Sequence, residues 1–319
     1  MVELAAAVVA ALVGPTNLAG PTVAWGGARH AWAGGGGGIV ATTNGGTTWR
    51  VESRLPVRQL VGVDASHAWA LNRDRTLRTT DGRHWRSLGA QGVLRMSFVD
   101  RSHGFAIERL YYLMRTRDGG LTWTPTEGPR ELQSLCFSNA HTGWVARGGT
   151  VWTTHDAGRH WSKRTLMRTR QGYPIPELYC RGEDVWLVLH DGAAAGTEGY
   201  RVLRSLDGGK TWRAVFASFS RRLPLVSNYA GSVAALGGAA AVLEGSCGAC
   251  GAGSVTFVRA PNRGRVTLRN VRPGPFAFAT RTLGLAILTP SPRGVPAIYR
   301  TTDGGRTWAR SYASRLLRP

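Results

Sequence analysis

The stretch Tyr299–Trp308 reads YRTTDGGRTW, and altered copies of it recur along most of the 319-residue chain. The shared pattern is Ser/Thr-x-Asp-x-Gly-x-x-Trp, which we call the box. Six copies end at tryptophans, namely Trp49, Trp85, Trp123, Trp161, Trp212 and Trp308. Four intervals run from 36 to 51 residues, and the last is 96, about two periods. Because such a period indicates a repeat architecture, the sequence predicts seven units, one of which lacks its box.

Each box has the residue types of a tight turn between two strands. Asp-Gly or Asn-Gly between β-prone runs is typical of a hairpin. The carboxylate can accept bonds from nearby backbone N–H groups, the glycines supply positive φ, and the tryptophan buries its ring over the turn. The first box has Asn in place of Asp, and the second is one residue shorter. We therefore assign structural, not catalytic, roles to Asn44, Trp49, Asp81, Trp85, Asp118, Trp123, Asp156, Trp161, Asp207, Trp212, Asp303 and Trp308.

The box resembles the Asp-box, or bacterial neuraminidase repeat, over about residues 20–312. That resemblance implies a β-propeller with one box per blade, at the outer hairpin. Short alternating runs and the absence of a strong amphipathic helix pattern favour antiparallel strands throughout. The predicted fold is all-β, a seven-bladed propeller of four-stranded antiparallel blades.

The chain divides into a possible signal-peptide remnant or N-terminal tail at 1–19, one propeller domain at 20–312 and a C-terminal tail at 313–319. The expected blades are 20–55, 56–89, 90–128, 129–170, 171–222, 223–270 and 271–312. The apolar run near the start resembles a signal-peptide core, although Glu3 stands where a basic residue is expected. We expect ring closure blade against blade; the alternative is that a terminal segment completes a blade.

The charge is strongly basic, with 40 Lys and Arg against 19 Asp and Glu. This balance favours an anionic partner, such as an acidic protein face, anionic lipid or nucleic acid. An Arg-rich composition from a GC-rich genome explains the same charge without a ligand. No nucleic-acid-binding motif is present, so we expect no specific nucleic-acid partner.

Four cysteines leave two pairings open. Cys247 and Cys250 form a CxxC in a Gly-rich loop, where a local disulfide is a simpler interpretation than a zinc site. Cys136 and Cys180 fall near the first strands of neighbouring units and could pair. We expect no metal and no cofactor, and an oxidising, extracytoplasmic compartment suits the cysteines.

The whole repeat is similar to the photosystem II stability/assembly factor family of seven-bladed propellers, most clearly in MSFVDRSHGFAI and LCFSNAHTGWVA. The resemblance implies a non-enzymatic, exported protein that binds a membrane-protein partner. The resemblance also implies an Arg-bearing face on the middle blades. The planar guanidinium group of arginine suits carboxylate or phosphate partners. The candidate residues are Arg101, Arg109, Tyr111, Tyr112, Arg115, Arg117, Arg147, Arg164, Arg168 and Arg170. Pleating allows only one of the two tyrosines to be an exposed anchor.

Two other functions stay open. A sialidase-like glycoside hydrolase needs paired carboxylates in the central funnel, and Glu108 and Glu244 are the better-placed acids. The nearest matches to the Arg-Ile-Pro motif of sialidases are Arg54-Leu-Pro56 and Arg222-Leu-Pro224. Both follow boxes, which indicates linkers between blades. Binding to an anionic polymer or lipid surface is the other alternative. The function we expect is a monomeric, exported binding or assembly module for a protein partner.

Overall fold

Seven antiparallel sheets follow one another along the chain, and each is built from consecutive strands. The computed structural model describes residues 21–73, 75–89, 92–168, 174–194, 197–237, 240–246, 254–260, 264–291 and 293–319. The predicted all-β fold, a seven-bladed propeller with four antiparallel strands in each blade, is confirmed. No helix among the described residues has the length and apolar character needed to cross a membrane.

The first four blades have short strands joined by tight turns. Blade 1 contains β1 (Thr22–Trp25), β2 (Ala31–Gly35), β3 (Gly38–Thr42) and β4 (Arg50–Ser53). Blade 2 contains β5 (Gln59–Gly62), β6 (Ala68–Leu71), β7 (Thr76–Thr79) and β8 (Arg86–Ser87). Blade 3 contains β9 (Val93–Phe98), β10 (Gly104–Glu108), β11 (Leu113–Thr116) and β12 (Thr124–Pro125). Blade 4 contains β13 (Ser134–Phe137), β14 (Gly143–Arg147), β15 (Thr150–Thr154) and β16 (Ser162–Thr165).

The last three blades have longer strands, and blade 7 has a first strand in two pieces that both pair with its second strand. Blade 5 contains β17 (Ile175–Arg181), β18 (Asp184–Ala194), β19 (Thr197–Ser205) and β20 (Arg213–Ala217). Blade 6 contains β21 (Tyr229–Gly237), β22 (Ala240–Ser246), β23 (Ser254–Ala260) and β24 (Gly264–Arg269). Blade 7 contains β25 (Val271–Arg272), β26 (Phe276–Phe278), β27 (Gly284–Pro290), β28 (Ala297–Thr301) and β29 (Ala309–Ala313), followed by the 3-10 turn Arg315–Leu317.

Neighbouring blades pack face to face through aromatic rings. Trp69 of blade 2 stacks on Phe98 of blade 3 with ring centroids 3.7 Å apart. Phe105 of blade 3 stacks on Phe137 of blade 4 at 3.5 Å. All four rings are buried, so each interface removes a large apolar area from water. The core therefore lies between the blades, which leaves the two faces of the ring to the loops.

The first strands are joined around the ring by polar side chains. The Leu60 amide donates to Thr22 Oγ1 at 3.0 Å, and the Leu178 amide donates to Ser134 Oγ at 2.9 Å. Gln59 donates to the Met96 carbonyl at 2.9 Å and accepts from the Met96 amide. Because buried polar groups need partners, these bonds fix the relative position of adjacent blades.

The ring closes where blade 7 meets blade 1, and each of these blades keeps its own four strands. Trp25 Nε1 donates to the Ala277 carbonyl at 3.0 Å, and Arg300 Nε donates to the Gly45 carbonyl at 2.7 Å. Residues 313–319, which the sequence places in a tail, pack on blade 1, where Leu317 is fully buried. The closure is thus blade against blade, reinforced by the C-terminal segment.

Cys136 and Cys180 form a disulfide between the first strands of blades 4 and 5, with Cα atoms 6.0 Å apart. Cys247 and Cys250 lie outside the described residues. The bond closes a segment that spans 44 residues of sequence and joins two blades covalently.

Replacing both Cys136 and Cys180 with Ala should lower the free energy of unfolding by about 2–4 kcal/mol, because the unfolded chain regains the entropy of the open segment. Chemical denaturation of wild type and variant under oxidising conditions measures the difference. A reductant should shift the wild type towards the double variant. Equal stability of the two proteins under oxidising conditions would contradict the prediction.

Candidate functional site

The boxes are hydrogen-bonded turns whose side chains are used within the turn. In the third box, Asp118 accepts from the Thr122 amide and hydroxyl, and Thr116 Oγ1 donates to Asp118 at 2.7 Å. Burial opposes ionisation, but the hydrogen bonds from Thr122 and Thr116 lower the pKa of Asp118 to about 2. The fully ionised carboxylate, saturated with local donors, cannot act as a general acid.

Each box is also tied to the inner part of its blade. The residue after the box Asp or Asn donates its N–H to a carbonyl in the turn between the first and second strands. This residue has positive φ in every box, with values from 62° to 76°. The six donors are Gly45, Gly82, Gly119, Ala157, Gly208 and Gly304. We call the side of the ring that carries these boxes and turns the box face.

Ala157 is the one box residue that carries a Cβ at this left-handed position, with φ 62°. Replacing Ala157 with Gly should raise the free energy of unfolding by about 0.5–1 kcal/mol, because glycine adopts positive φ without steric cost. Thermal or denaturant unfolding checks the change. The matched substitution Gly119→Ala should destabilise the protein, and a stabilised Gly119→Ala would contradict this account.

The second box shows how the fold accommodates its missing residue. Trp85 Nε1 donates to Glu52 Oε2 at 3.1 Å instead of to a carbonyl of its own box, and Trp32 Nε1 donates to the same oxygen. Arg50 completes the group with an ion pair to Glu52 at 2.7 Å. Burial raises the pKa of Glu52, and the bonds from Arg50 and Trp85 oppose that rise. Glu52 is therefore a structural link between blades 1 and 2.

Of the ten residues predicted to bind a partner, the nine that the structure describes do not share one face, which differs from the expectation of a single arginine face. The strands are antiparallel, so hairpins between second and third strands and linkers between blades lie opposite the boxes. We call that side the hairpin face. Arg101 and Arg117 lie on the box face, whereas the hairpin face carries Arg109, Tyr111, Tyr112, Arg147 and Arg168. Arg115 and Arg164 lie on β11 and β16, and Arg170 lies outside the described residues.

Several box-face arginines join neighbouring blades. Arg101 Nε donates to Asp64 of blade 2 at 2.7 Å. Arg78 and Arg300, each just before a box Thr, donate to backbone carbonyls in the box of the next blade. Arg115 holds the equivalent place before Thr116. Much of the arginine content thus serves the ring itself.

The hairpin face of blades 3 and 4 carries a patch that we call the blade 3–4 patch: Tyr111, Tyr112, Arg130, Glu131 and Arg147. Arg130 donates to the Tyr112 hydroxyl at 3.1 Å and lies 4.9 Å from its ring centroid. Arg147 forms an ion pair with Glu131. Tyr111 has φ 63° and stays half exposed. The patch offers an aromatic ring and guanidinium groups to an outside partner.

Sequence reasoning identified three members of this patch and missed Arg130 and Glu131. Both belong to the linker before blade 4, and the Leu132 amide donates to the Tyr111 carbonyl at 3.1 Å. The tyrosines occupy a turn rather than a pleated strand, so Arg130, and not pleating, covers Tyr112. No local spacing relates the linker to the hairpin, so only the folded ring brings them together.

A second group of titratable residues lies between blades 5 and 6, and we call it the blade 5–6 cluster: Glu177, Tyr179, His190, Glu198 and Glu244. Tyr179 donates to Glu177 at 2.8 Å, and His190 Nδ1 contacts Glu198 Oε1 at 2.7 Å. Glu198 Oε2 accepts from the Ala230 amide at 3.1 Å and so joins the two blades. Of these residues, the sequence had singled out only Glu244.

The carboxyl groups of this cluster differ in the direction of their pKa shifts. Burial raises the pKa of Glu244 to about 8, with the charge of Glu177 adding to the rise and bonds from Ser232 opposing it. Burial opposes ionisation of Glu177 too, but His190, Tyr179 and Arg95 lower its pKa. Burial also lowers the pKa of His190, but the two glutamates outweigh it and raise the value to about 10.

A carboxylate pair with divergent pKa values, beside a tyrosine, is the arrangement that a glycosidase would need. Here Tyr179 is 2% exposed and Glu244 is 4% exposed. Glu177, His190 and Glu198 keep side-chain exposures of 14–17%, so the cluster reaches solvent at one side only. The arrangement therefore acts as a buried connection between blades. Within the described residues, no group of three His, Cys, Asp or Glu side chains is arranged to hold a metal ion.

The stability contributed by Glu244 and His190 should fall as pH rises, because in the folded protein these two groups retain protons that the unfolded chain has released. For Glu244 the loss accumulates between its ordinary pKa of 4.5 and about 8, and for His190 between 6.5 and about 10. The variant Glu244→Gln should lose roughly 2–4 kcal/mol less than wild type between pH 5 and pH 8. Denaturant unfolding across this range measures it, with Glu131→Gln as an exposed control. An unchanged pH profile in Glu244→Gln would refute the assignment.

Comparison with known proteins agrees with the fold and the repeat. The family model of the photosynthesis system II assembly factor YCF48 matches residues 77–175. The chain is 27% identical over 146 residues to the photosystem II assembly lipoprotein Ycf48 of Synechococcus sp. (strain CC9902), which covers 43% of this chain. The matched stretch spans 41% of that relative.

Solved structures share the architecture at low sequence identity. YCF48 bound to D1 peptide has a TM-score of 0.57 and 15% identity, with 93% of this chain and 94% of that chain covered. The GH74 xyloglucanase of Xanthomonas campestris has a TM-score of 0.53 and 13% identity, covering 89% of this chain and 59% of that one. At these identities the likeness establishes the fold alone, because binding proteins and hydrolases both appear among the neighbours. The chain is a seven-bladed β-propeller that resembles the photosystem II assembly factor family, and the family-model match runs from the third strand of blade 2 to the start of blade 5.

Proposed function

We propose that this protein is a non-catalytic binding module that engages a protein partner, a component of a membrane complex, through the blade 3–4 patch. The observation that carries the proposal is the surface formed by the half-exposed Tyr111 ring and the exposed Arg130 and Arg147 side chains, with Tyr112 beneath Arg130. Such a surface suits an acidic protein segment, because guanidinium groups bind carboxylates and tyrosines supply apolar contact.

Two further observations support this function. The matching family model and the Synechococcus relative are assembly factors, and a YCF48 structure was solved with a D1 peptide bound. The name of the Synechococcus relative includes the word lipoprotein, and the disulfide between blades 4 and 5 suits an oxidising compartment. Both favour an extracytoplasmic, membrane-associated setting for this protein. The photosystem itself is not carried over, because the partner follows from the host and not from the fold.

Against the hydrolase alternative stands the burial of Tyr179 and Glu244 in the core between blades 5 and 6. A hydrolase needs its carboxylates at a surface that the substrate reaches, about 5–10 Å apart on either side of the scissile bond. The acids of the boxes are equally unsuited, since hydrogen bonds within the turn occupy them.

Substitution of both Arg130 and Arg147 by Ala should weaken binding to a membrane-protein partner identified by crosslinking, by about tenfold or more. The loss follows from removal of two guanidinium contacts. The matched control Arg117→Ala with Arg159→Ala removes the same charge from the exposed box face. Affinity is measured by surface plasmon resonance with the purified partner. If the control loses affinity and the test variant keeps it, the partner binds the box face and the proposed site is refuted.

A further inference from the structure

Two loop tips on the hairpin face present the most exposed large apolar side chains among the described residues. Phe219 is 81% exposed and Leu110 is 70% exposed. The first lies in the linker between blades 5 and 6, and the second in the hairpin of blade 3. Each of these two side chains stands beside exposed arginines, a combination that suits an apolar surface carrying negative charge.

Hydrogen bonds at the base of the blade 3 hairpin hold its tip, residues 109–111, in place. The Tyr111 amide donates to the Glu108 carbonyl at 2.8 Å, and the Glu108 amide donates to the Tyr112 carbonyl at 3.1 Å. Glu108 Oε1 accepts from the Leu110 amide at 2.9 Å. The tip therefore projects Leu110 outward on a fixed base, between Arg109 and Tyr111.

The blade 5 tip, residues 219–222, has a base of the same kind. The Val226 amide donates to the Tyr200 hydroxyl at 2.8 Å, and the Ser218 amide donates to the Tyr200 carbonyl at 3.0 Å. The Ser220 hydroxyl accepts from the Leu223 amide at 3.1 Å and closes the turn. Phe219 stands at the end of this loop, and the next basic pair, Arg221 and Arg222, is exposed beside it.

Both tips hold an aromatic residue in the left-handed region. Phe219 has φ 56° and Tyr111 has φ 63°. Bulky residues rarely adopt positive φ, because the Cβ atom then crowds the backbone. Here the strained backbone leaves Phe219 mostly in water and Tyr111 half exposed. Such strain is typical of sites shaped for a ligand or surface.

We propose that these two tips dock the hairpin face onto an anionic lipid bilayer. The tips lie on the same face, one on blade 3 and one after blade 5, so a flat surface can contact both. Aromatic side chains favour the membrane interface, and arginines are attracted to an anionic leaflet. The arginines beside the apolar groups, Arg109, Arg221 and Arg222, select an anionic bilayer over a neutral one. The docking surface shares Tyr111 with the blade 3–4 patch, but it rests on other residues and is tested with lipid alone.

Vesicle flotation tests the proposal with the intact protein. The wild type should float with phosphatidylcholine vesicles that contain about one third phosphatidylglycerol, and much less with phosphatidylcholine alone. The variant Leu110→Ser with Phe219→Ser should bind the anionic vesicles about tenfold more weakly. The control Leu121→Ser with Leu206→Ser removes two exposed leucines, 60% and 57% exposed, from the box face and should bind as wild type.

The orientation of the bound protein is a second readout. A tryptophan in Phe219→Trp should be quenched by brominated phosphatidylcholine in anionic vesicles, whereas one in Leu206→Trp should not. Equal flotation of both serine variants, or equal quenching of both tryptophans, would overturn docking through these tips. So would failure of the wild type to float. The partner-binding test on Arg130 and Arg147 is unaffected by these outcomes, so the two proposals fail separately.

Discussion

The fold depends on the hydrogen bond that joins each box to the turn between the first two strands of the same blade. In six blades the residue after the box Asp or Asn donates this bond, and its positive φ directs the N–H inward. The bond joins the outer hairpin of a blade to its inner hairpin and fixes the two hairpins relative to each other. Aromatic stacking between blades and polar links between first strands then complete the ring.

Blade 6 shows what replaces this constraint where the box is missing. The largest buried apolar cluster spans blades 5 to 7 and includes Phe257 of blade 6, which stacks on Trp308 of blade 7. Arg259, on the third strand of blade 6, donates to two carbonyls in the box of blade 7. The blade 5–6 cluster adds a charged connection on the other side. Packing and arginine bonds to the neighbours thus stabilise a blade whose sequence lacks the box.

The periodicity of the boxes was enough to predict the number of blades, their strands and the structural role of the box aspartates, because these depend on local turn chemistry. It was not enough to place the candidate arginines. Arg101 and Arg109 are close in sequence, but they flank β10 and so lie at opposite ends of a blade. The blade 5–6 cluster draws its members from β17, β18, β19 and β22, and Arg130 reaches Tyr112 from a linker. Contacts between blades join residues that are far apart in the sequence, so no local spacing pattern predicts them.

The two faces of the ring differ because the repeated boxes and the turns that they bind all lie on one of them. On the box face, Arg78, Arg101 and Arg300 bond to a neighbouring blade, so part of the charge on this face serves the structure. On the hairpin face the residues vary between blades and carry no common turn, which allows arginine, tyrosine and phenylalanine to project outward. The net charge of the chain is therefore a poor guide to its ligand. The position of a side chain relative to the repeat is a better guide to its role, because a side chain outside the common pattern is not needed for the repeated turns.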